Sequence, residues 1–222
     1  MRTHLHKEID RLENRVLELG ALVEENINKA VRAFEARDID VARQLIEADN
    51  EVDEMEVELE EECLKMLALY QPVAVDLRVV IAALKINNDL ERVGDLAANI
   101  AECTEAYAEY PAITPPVDIH AMSQKALALL RTSLDAFVQL DTGLAYKIRK
   151  LDNEIDVYDR DVEKRVQEAI KKQPEYDEGY LQIIWVAHHI ERVADHATNI
   201  AEDIIYMLKG EIVRHKEDGK TE

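Results

Sequence analysis

The chain has 222 residues, and its low content of glycine (6), proline (5) and aromatic residues (5%) favours helix over sheet. Its formal net charge of −20 argues against nucleic acids and anionic membranes as partners, because both attract basic surfaces. No apolar run reaches the roughly 18 residues that a membrane span needs, and the N-terminus has no apolar signal-peptide core, so we expect a cytoplasmic protein.

Apolar residues at three- and four-residue steps predict three helices in the first half of the chain. The first is expected over about residues 8–37, with Asp38 as a stop and restart. The second is expected to run to about Tyr70, where Gln71 and Pro72 break the pattern. The third is expected over about residues 74–107, and its apolar residues recur in heptad steps.

A cluster of prolines follows, and after it the helical pattern is repeated. Further helices are expected over about residues 118–140, 142–172 and 177–209. Helices of about 30 residues are roughly 45 Å long and need a packing partner along their whole length. The expected fold is therefore all-α, with two tandem antiparallel three-helix bundles related by internal duplication. The bundles are predicted over residues 1–110 and 118–214, with a Pro-rich linker over 111–117 and a charged tail over 215–222.

The duplication is visible in the sequence itself. Residues 49–53 (DNEVD) return as residues 152–156 (DNEID), 103 residues later. Residues 91–102 return as residues 191–202, 100 residues later, with 9 of 12 positions identical. A repeat of this length is typical of a duplicated domain. Acidic residues are retained most faithfully, since four segments carry Asp or Glu followed four residues later by Asp.

These acid pairs form the candidate binding site. The candidates are Asp49, Asp53, Glu91 and Asp95 in the first half, and Asp152, Asp156, Glu191 and Asp195 in the second. Residues four apart share a helix face, so the carboxylates converge along one groove if the second and third helices of each half pack together. Carboxylates that lie this close repel each other, and a bound cation would compensate that repulsion. Oxygen ligands suit Mg²⁺, Ca²⁺, Mn²⁺ or iron, and carboxylates can also bridge the metals of a multinuclear cluster.

Other interpretations of the acids stay open. Acid pairs are common on solvated helix faces, and Arg92 and Arg192 offer local counter-charges for an ion-pair network without metal. His188 shares a face with Glu191 and Asp195, so an imidazole could add a ligand in the second half, where the first half has asparagine.

Catalysis finds little support in the sequence. A ferritin-type di-iron oxidase needs Glu-x-x-His motifs, and the chain contains none. There is also no phosphate-binding loop and no HExxH motif, so we expect a protein that is not an enzyme. A metal-storage or metal-redox protein on a helical bundle remains an alternative. A third possibility is a coiled-coil scaffold without metal, although the heptads break at Asp38, at Pro72 and at the linker.

The combination of motifs resembles the PhoU family of bacterial phosphate-transport regulators. Each half carries a D-x-x-x-D segment and an E-R-x-x-D-x-x-x-N-I-A-E segment, and residues 71–78 (QPVAVDLR) open the third helix. The resemblance covers nearly the whole chain and implies a PhoU-like or Spo0B-like helical bundle. It implies a negative regulator of phosphate uptake and of phosphate-starvation signalling that binds no DNA. The implied partners are the ATPase subunit of the phosphate ABC transporter and the sensor histidine kinase of the phosphate regulon.

The same resemblance implies a homodimer and metal clusters at the acidic motifs. All of the acids named above match the family's motif, and they would be the ligands of multinuclear iron clusters, with Zn²⁺, Mn²⁺, Ni²⁺, Mg²⁺ or Ca²⁺ as alternatives. One departure is that residues 71–78 have no good counterpart in the second half, where residues 173–177 (QPEYD) stand instead. If this segment contacts a partner, the two halves do not bind equivalently.

Overall fold

The computed structural model describes residues 2–110 and 113–213, apart from the side chains of residues 2, 3, 150, 152 and 153. This part of the chain contains α-helices, one short 3-10 turn and no strand, which confirms the all-α prediction. The α-helices are α1 (Arg2–Ala36), α2 (Ile39–Tyr70), α3 (Ala74–Ala108), α4 (Ile119–Gln139), α5 (Thr142–Lys172) and α6 (Asp177–Lys209). We find in it no helix with the unbroken apolar stretch that spanning a bilayer requires.

Helices α2, α4 and α5 each begin after an aspartate that serves as N-cap. The Asp38 side chain accepts a hydrogen bond from the backbone N–H of Val41 (3.1 Å), and Asp141 begins α5 by accepting from Gly143 (2.7 Å). An N-cap carboxylate satisfies a backbone donor that has no partner inside the helix. Both halves use this device at the same place, since Asp38 and Asp141 each stand four residues after a phenylalanine.

Two features of the helices differ from the prediction. Helix α1 begins at Arg2 instead of near residue 8, because Leu5 and Ile9 extend its buried stripe by two turns. A 3-10 turn over Pro174–Tyr176, which was not expected, leads into α6. Residues 111–112 of the predicted linker and the predicted tail lie outside the described residues, so the domain boundaries stay predictions.

Helices α3 and α6 lie at the centre of the molecule and pack against each other. Around them, α1 and α2 cover α3, and α4 and α5 cover α6. The central pair is antiparallel, since Arg78 near the start of α3 donates from Nε to the carbonyl oxygen of Met207 near the end of α6 (2.7 Å). Buried residues of both halves form one continuous core, so the two bundles share their interior.

An ion pair closes part of this central interface. Lys85 of α3 contacts Asp203 of α6, with 3.0 Å between Nζ and Oδ1. Asp203 is only 2% exposed, whereas the Lys85 side chain is 41% exposed. The ammonium group therefore compensates a carboxylate that is buried between the two halves.

Candidate functional site

The structure brings the acids of the first half together between α2 and α3. We call Asp49, Asp53, Glu91 and Asp95 the first acidic groove. Burial raises the pKa of Asp49, and the charges of Asp53 and Asp95 raise it further. Asp49 and Asp53 lie on α2, whereas Asp95 lies on α3, so the carboxylates of the two helices are close enough to repel each other.

A close approach of the two helices produces this arrangement. A Cβ atom built on Gly94 would lie 2.8 Å from Cγ1 of Val52, which is closer than packed carbon atoms allow. Val52 immediately precedes Asp53, and Gly94 immediately precedes Asp95. The missing side chain at Gly94 therefore lets the two acidic helix faces meet.

We expect Gly94→Val to lower the free energy of unfolding by about 1–3 kcal/mol, because the added methyl groups push Val52 and α2 away. Urea denaturation followed by circular dichroism measures the change. Ala98→Val adds the same branched side chain one turn later at a partly exposed position, and it should cost far less. Equal losses in the two variants would show that the helices are not in close contact at Gly94.

Arg92 supplies a counter-charge to the first acidic groove. Its Nη1 donates to Oδ2 of Asp95 (3.0 Å), and its Nε lies 3.3 Å from Oε2 of Glu91. The second contact is an ion pair without hydrogen-bond geometry, and Oε2 of Glu91 is a buried oxygen that accepts no hydrogen bond within the described part of the chain. An ion-pair network without metal therefore accounts for the contacts of Arg92. It leaves the buried Oε2 of Glu91 without a hydrogen bond from the described residues.

Glu91 links this groove to an acid that the sequence analysis did not select. Burial and then Asp95 raise the pKa of Glu91; Asp53 and Glu56 also raise it, whereas Arg92 lowers it. Glu56 lies one turn after Asp53 on α2. The groove is therefore longer than the repeated motif, and its net charge is negative even with Arg92 in place.

We call the corresponding region between α5 and α6 the second acidic groove. Burial raises the pKa of Asp195, and Asp156 raises it further, while His196 and Arg192 lower it. Glu191 lies one turn before Asp195 and is partly buried. The side chain of the remaining candidate, Asp152, lies outside the described residues.

A histidine joins the second groove through contacts that the sequence did not predict. Nε2 of His188 lies 3.3 Å from Oε1 of Glu163 and 3.5 Å from Oδ2 of Asp159. Oδ1 of Asp159 is buried and makes no hydrogen bond to the described residues. Asp159 stands 103 residues after Glu56, so the spacing of the repeat could have revealed both acids. The expected grouping of His188 with acids of its own helix is therefore incomplete, because His188 also contacts Asp159 and Glu163 of α5.

The second histidine of this region has a different role. Nδ1 of His196 lies 2.9 Å from Oδ1 of Asp89, and both side chains are largely buried. The contact joins α6 to α3, so it connects the two halves of the molecule. Among the side chains that the structure describes, no three His, Cys, Asp or Glu residues are arranged to hold a metal ion as they stand.

The raised pKa of Asp49 has a consequence for stability. Its folded-state pKa lies above the ordinary 3.8, so the folded protein binds more protons than the unfolded chain between these two values. The free energy of unfolding therefore rises as the pH falls through that window, and the charged Asp49 opposes folding at neutral pH.

We expect Asp49→Asn to raise the free energy of unfolding of chelated protein at pH 7 by a few tenths of a kcal/mol, because it removes like-charge contacts. Chemical denaturation at pH 7 and at pH 5 measures the effect, which should shrink at the lower pH. Glu61→Gln is the matched control with the opposite sign, since the hydrogen bond from Lys65 lowers the pKa of Glu61. A loss of stability in Asp49→Asn would contradict the expected repulsion.

Comparison with known proteins decides the family. The family model named PhoU domain matches residues 16–104 and again residues 119–204. The chain belongs to the PhoU family. The two PhoU domains correspond to the two helical triplets, and each contains one complete acidic groove together with the helices that form it.

PhoU proteins from distant bacteria match over nearly their whole length. The chain is 38% identical over 212 residues to the phosphate-specific transport system accessory protein PhoU homolog of Aquifex aeolicus, covering 96% of each chain. It is 34% identical to PhoU homolog 1 of Thermotoga maritima, covering 97% of this chain and 95% of the relative. The accessory protein PhoU of Escherichia coli is 30% identical, over 94% of this chain and 86% of its own.

Crystal structures of PhoU proteins have the same fold. PhoU from Pseudomonas aeruginosa superposes with a TM-score of 0.87 at 32% identity, over 93% of this chain and 99% of its own. The phosphate transport system regulatory protein PhoU from Streptococcus pneumoniae also gives a TM-score of 0.87 at 32% identity, over 94% and 99%. These matches confirm the resemblance that the sequence motifs indicated.

The PhoU-like segment over residues 71–78 has an uncommon backbone. Gln71 and Ala74 both have positive φ (46° and 52°), a conformation that costs a non-glycine residue about 1 kcal/mol or more. Val73 and Val75 are exposed. The segment ends at Arg78, whose hydrogen bond to Met207 ties the start of α3 to the end of α6. The second half has the 3-10 turn in this place, so the two PhoU domains differ here as the sequence predicted.

Proposed function

We propose that this chain is a non-enzymatic, cytoplasmic negative regulator of phosphate uptake and of phosphate-starvation signalling. Its full-length match carries the proposal, since the Aquifex aeolicus relative that is named for phosphate-specific transport aligns over 96% of both chains. The names of the relatives describe accessory and regulatory proteins, which supports a role without catalysis.

The chain would act by protein contact. Its partners in this proposal are the ATPase subunit of the phosphate ABC transporter and the sensor histidine kinase, and it would work as a homodimer. A net charge of −20 favours docking onto basic surfaces and disfavours nucleic acid. The relatives' description as accessory proteins of a phosphate transport system supports an association with the transporter.

Complementation tests the regulatory role. In a bacterium whose own PhoU gene is deleted, expression of this chain should restore repression of a phosphate-starvation reporter in phosphate-rich medium. Leu64→Lys, which changes an exposed residue of α2 outside the acidic grooves, should complement equally well. The proposal fails if the reporter stays active while the wild-type chain accumulates to the level of the native protein.

We further propose that the acidic grooves bind metal ions. In the first groove the ligands would be Asp49, Asp53, Glu91 and Asp95, and in the second Asp152, Asp156, Glu191 and Asp195. The residues fit a hard cation, because the first groove offers only oxygen donors and Oε2 of Glu91 is buried without a hydrogen bond. Burial raises the pKa of Asp49 and of Asp195, and the negative charge of neighbouring carboxylates raises both further, which supports a site for a cation.

The metal would act on structure and not on a reaction. A bound cation would cross-link two helices of each half and set the charge of the surface that faces a partner. In the first groove it would replace Arg92 as the counter-charge to Asp95, so the side chains have to rearrange on binding. Carboxylate ligands discriminate weakly between metal ions. The metal in this proposal is iron in a multinuclear cluster, with Zn²⁺, Mn²⁺, Ni²⁺, Mg²⁺ or Ca²⁺ as alternatives.

Elemental analysis of untagged protein, before and after chelation, tests the metal proposal. The comparison is with the acid-to-amide variant, in which all the proposed ligands are changed to Asn or Gln. A matched control changes the same number of exposed acids outside the grooves, beginning with Glu18, Glu25 and Glu35. Stoichiometric metal that is lost only in the acid-to-amide variant is the expected result. Equal metal in all three proteins would contradict it, and catalytic oxidation of ferrous iron would favour the metal-redox alternative.

A further inference from the structure

The repeat places different residues at one position of the central interface. In the first half this position is Lys85, which pairs with the buried Asp203. Their equivalents, 100 residues away, are Trp185 and Cys103. Trp185 is the single tryptophan of the chain, and 54% of it is exposed. The second half therefore has an exposed aromatic side chain where the first half has an ion pair.

Trp185 lies in a groove of about 220 Å³ between the end of α3 and the start of α6. Leu181, one turn before it, is also exposed, and Ala106 and Tyr110 contribute further apolar surface. Among the residues that the structure describes, two carboxylates, Glu109 and Glu178, line the groove and no cationic side chain does. We call this surface the Trp185 groove.

The electrostatic surroundings of the groove are strongly negative. The hydroxyl of Tyr110 donates to Oε2 of Glu178 (2.7 Å). This hydrogen bond is the main cause that raises the pKa of Tyr110, and the charges of Glu178, Glu109 and Asp177 contribute to it as well. Three carboxylates thus act together at the groove.

The other side of Trp185 faces the second acidic groove. Its ring meets the ring of His188 edge-on, with 6.1 Å between the ring centroids. His188 in turn contacts Asp159 and Glu163. The exposed aromatic surface is therefore bounded by carboxylates in both directions along the molecule.

We propose that the Trp185 groove docks a segment of a partner protein that carries an apolar side chain flanked by lysine or arginine. Exposed tryptophans surrounded by polar residues are the side chains that contribute most to protein interfaces. Acidic flanks attract a basic segment and orient it. A second copy of this chain fits poorly in this groove, because its acidic surface would face Glu109 and Glu178; the proposed homodimer would therefore use another surface.

This inference rests on the proposed function, because it names a docking surface for a regulator that acts by contact. The two remain distinguishable, since a regulator that docks through another surface would complement the deletion and leave the Trp185 groove unused. The groove exists at one of the two equivalent places only, because Trp185 and Cys103 stand where the other place has the ion pair of Lys85 and Asp203.

The test uses a fluorescent helical peptide built from leucine and lysine with one apolar face, and a matched peptide in which glutamate replaces lysine. Binding is followed by anisotropy of the peptide label. On binding of the lysine peptide to the full chain, the tryptophan emission should shift to shorter wavelength, because Trp185 loses contact with water. The glutamate peptide should bind neither the wild type nor any variant.

Variants locate the contact. Trp185→Lys introduces the residue that the first half has at this position, and it should weaken binding of the lysine peptide at least about tenfold. Leu64→Lys changes a side chain of similar exposure (51%) on α2 and should leave binding unchanged. Glu109→Gln combined with Glu178→Gln should weaken binding and reduce its salt dependence. Circular dichroism verifies that each variant is folded.

Two results would overturn the proposal. The first is equal binding of the lysine peptide to the wild type and to Trp185→Lys. The second is self-association of the chain that Trp185→Lys abolishes without affecting peptide binding, which would assign the groove to a contact between copies. A tenfold loss in Trp185→Lys, together with unchanged binding in Leu64→Lys, supports the proposal.

Discussion

Replacing Lys85 by alanine is expected to lower the free energy of unfolding by about 2–3 kcal/mol. The substitution leaves the carboxylate of Asp203 in the interface between α3 and α6 without its ammonium partner. Breaking a fully buried ion pair costs about 3–5 kcal/mol. The smaller figure applies here because the Lys85 side chain is partly exposed, and solvent already screens its charge.

Urea denaturation of Lys85→Ala measures this loss, and two further variants show its origin. Lys65→Ala removes an exposed lysine that pairs with Glu61 one turn away, and it should cost far less because solvent screens that pair. Asp203→Cys, the residue at the equivalent place in the first half, should recover part of the stability when combined with Lys85→Ala. If Lys85→Ala and Lys65→Ala cost the same, Asp203 does not depend on Lys85 for its charge balance.

Saturating metal is expected to raise the free energy of unfolding of the wild type by about 3 kcal/mol for each groove at roughly a hundredfold excess over the dissociation constant. The physical reason is that the folded chain holds the carboxylates of α2 and α3 together, whereas the unfolded chain separates them. The acid-to-amide variant should show no such increase. Thermal or chemical denaturation with chelator and with added metal measures the difference.

Variants that change only one groove measure how much of the stabilisation by metal comes from each half. Asp49→Asn with Asp53→Asn should remove the contribution of the first groove and leave that of the second. Asp156→Asn with Asp195→Asn should do the reverse. A monovalent salt at the same ionic strength controls for general screening of the acidic chain. Equal stabilisation of the wild type and the acid-to-amide variant by metal would contradict binding in the grooves.

The helices were predictable because the apolar pattern and the caps agree. The residues Asp38 and Asp141 mark helix starts by sequence alone, since an aspartate after a helical run offers a side-chain acceptor to the next turn. The start of α1 was not predictable, because no capping residue precedes it. Its early position follows from tertiary burial of Leu5 and Ile9.

The grooves were predictable in outline from the repeated acids. The retained D-x-x-x-D and E-R-x-x-D segments place carboxylates on facing helices, but the sequence does not tell how closely the helices approach. Gly94 and Val52 determine this distance, and Arg92 determines how much of the charge is balanced. Glu56 and Asp159 were missed because each is one acid among many; their 103-residue spacing pairs them as equivalents, but the packing of neighbouring helices shows that they reach the grooves.

Lys85 and Trp185 show that equivalent positions of a repeat can have different surroundings in the fold. Both residues stand at the same position of the duplicated motif, yet one is paired with a buried acid and the other is exposed beside a groove. Sequence comparison of the halves shows the substitution but not its surroundings. The partner of each residue comes from the opposite half, so it depends on how α3 and α6 pack together.

We propose that this PhoU-family chain regulates phosphate transport by metal-dependent contact with the transporter. Calorimetric titration of the purified ATPase subunit of a phosphate ABC transporter with the metal-loaded chain tests it most directly. The account predicts saturable binding by the wild type, which weakens after chelation and in the acid-to-amide variant. The absence of binding by the metal-loaded wild type, with both proteins folded, would contradict the account.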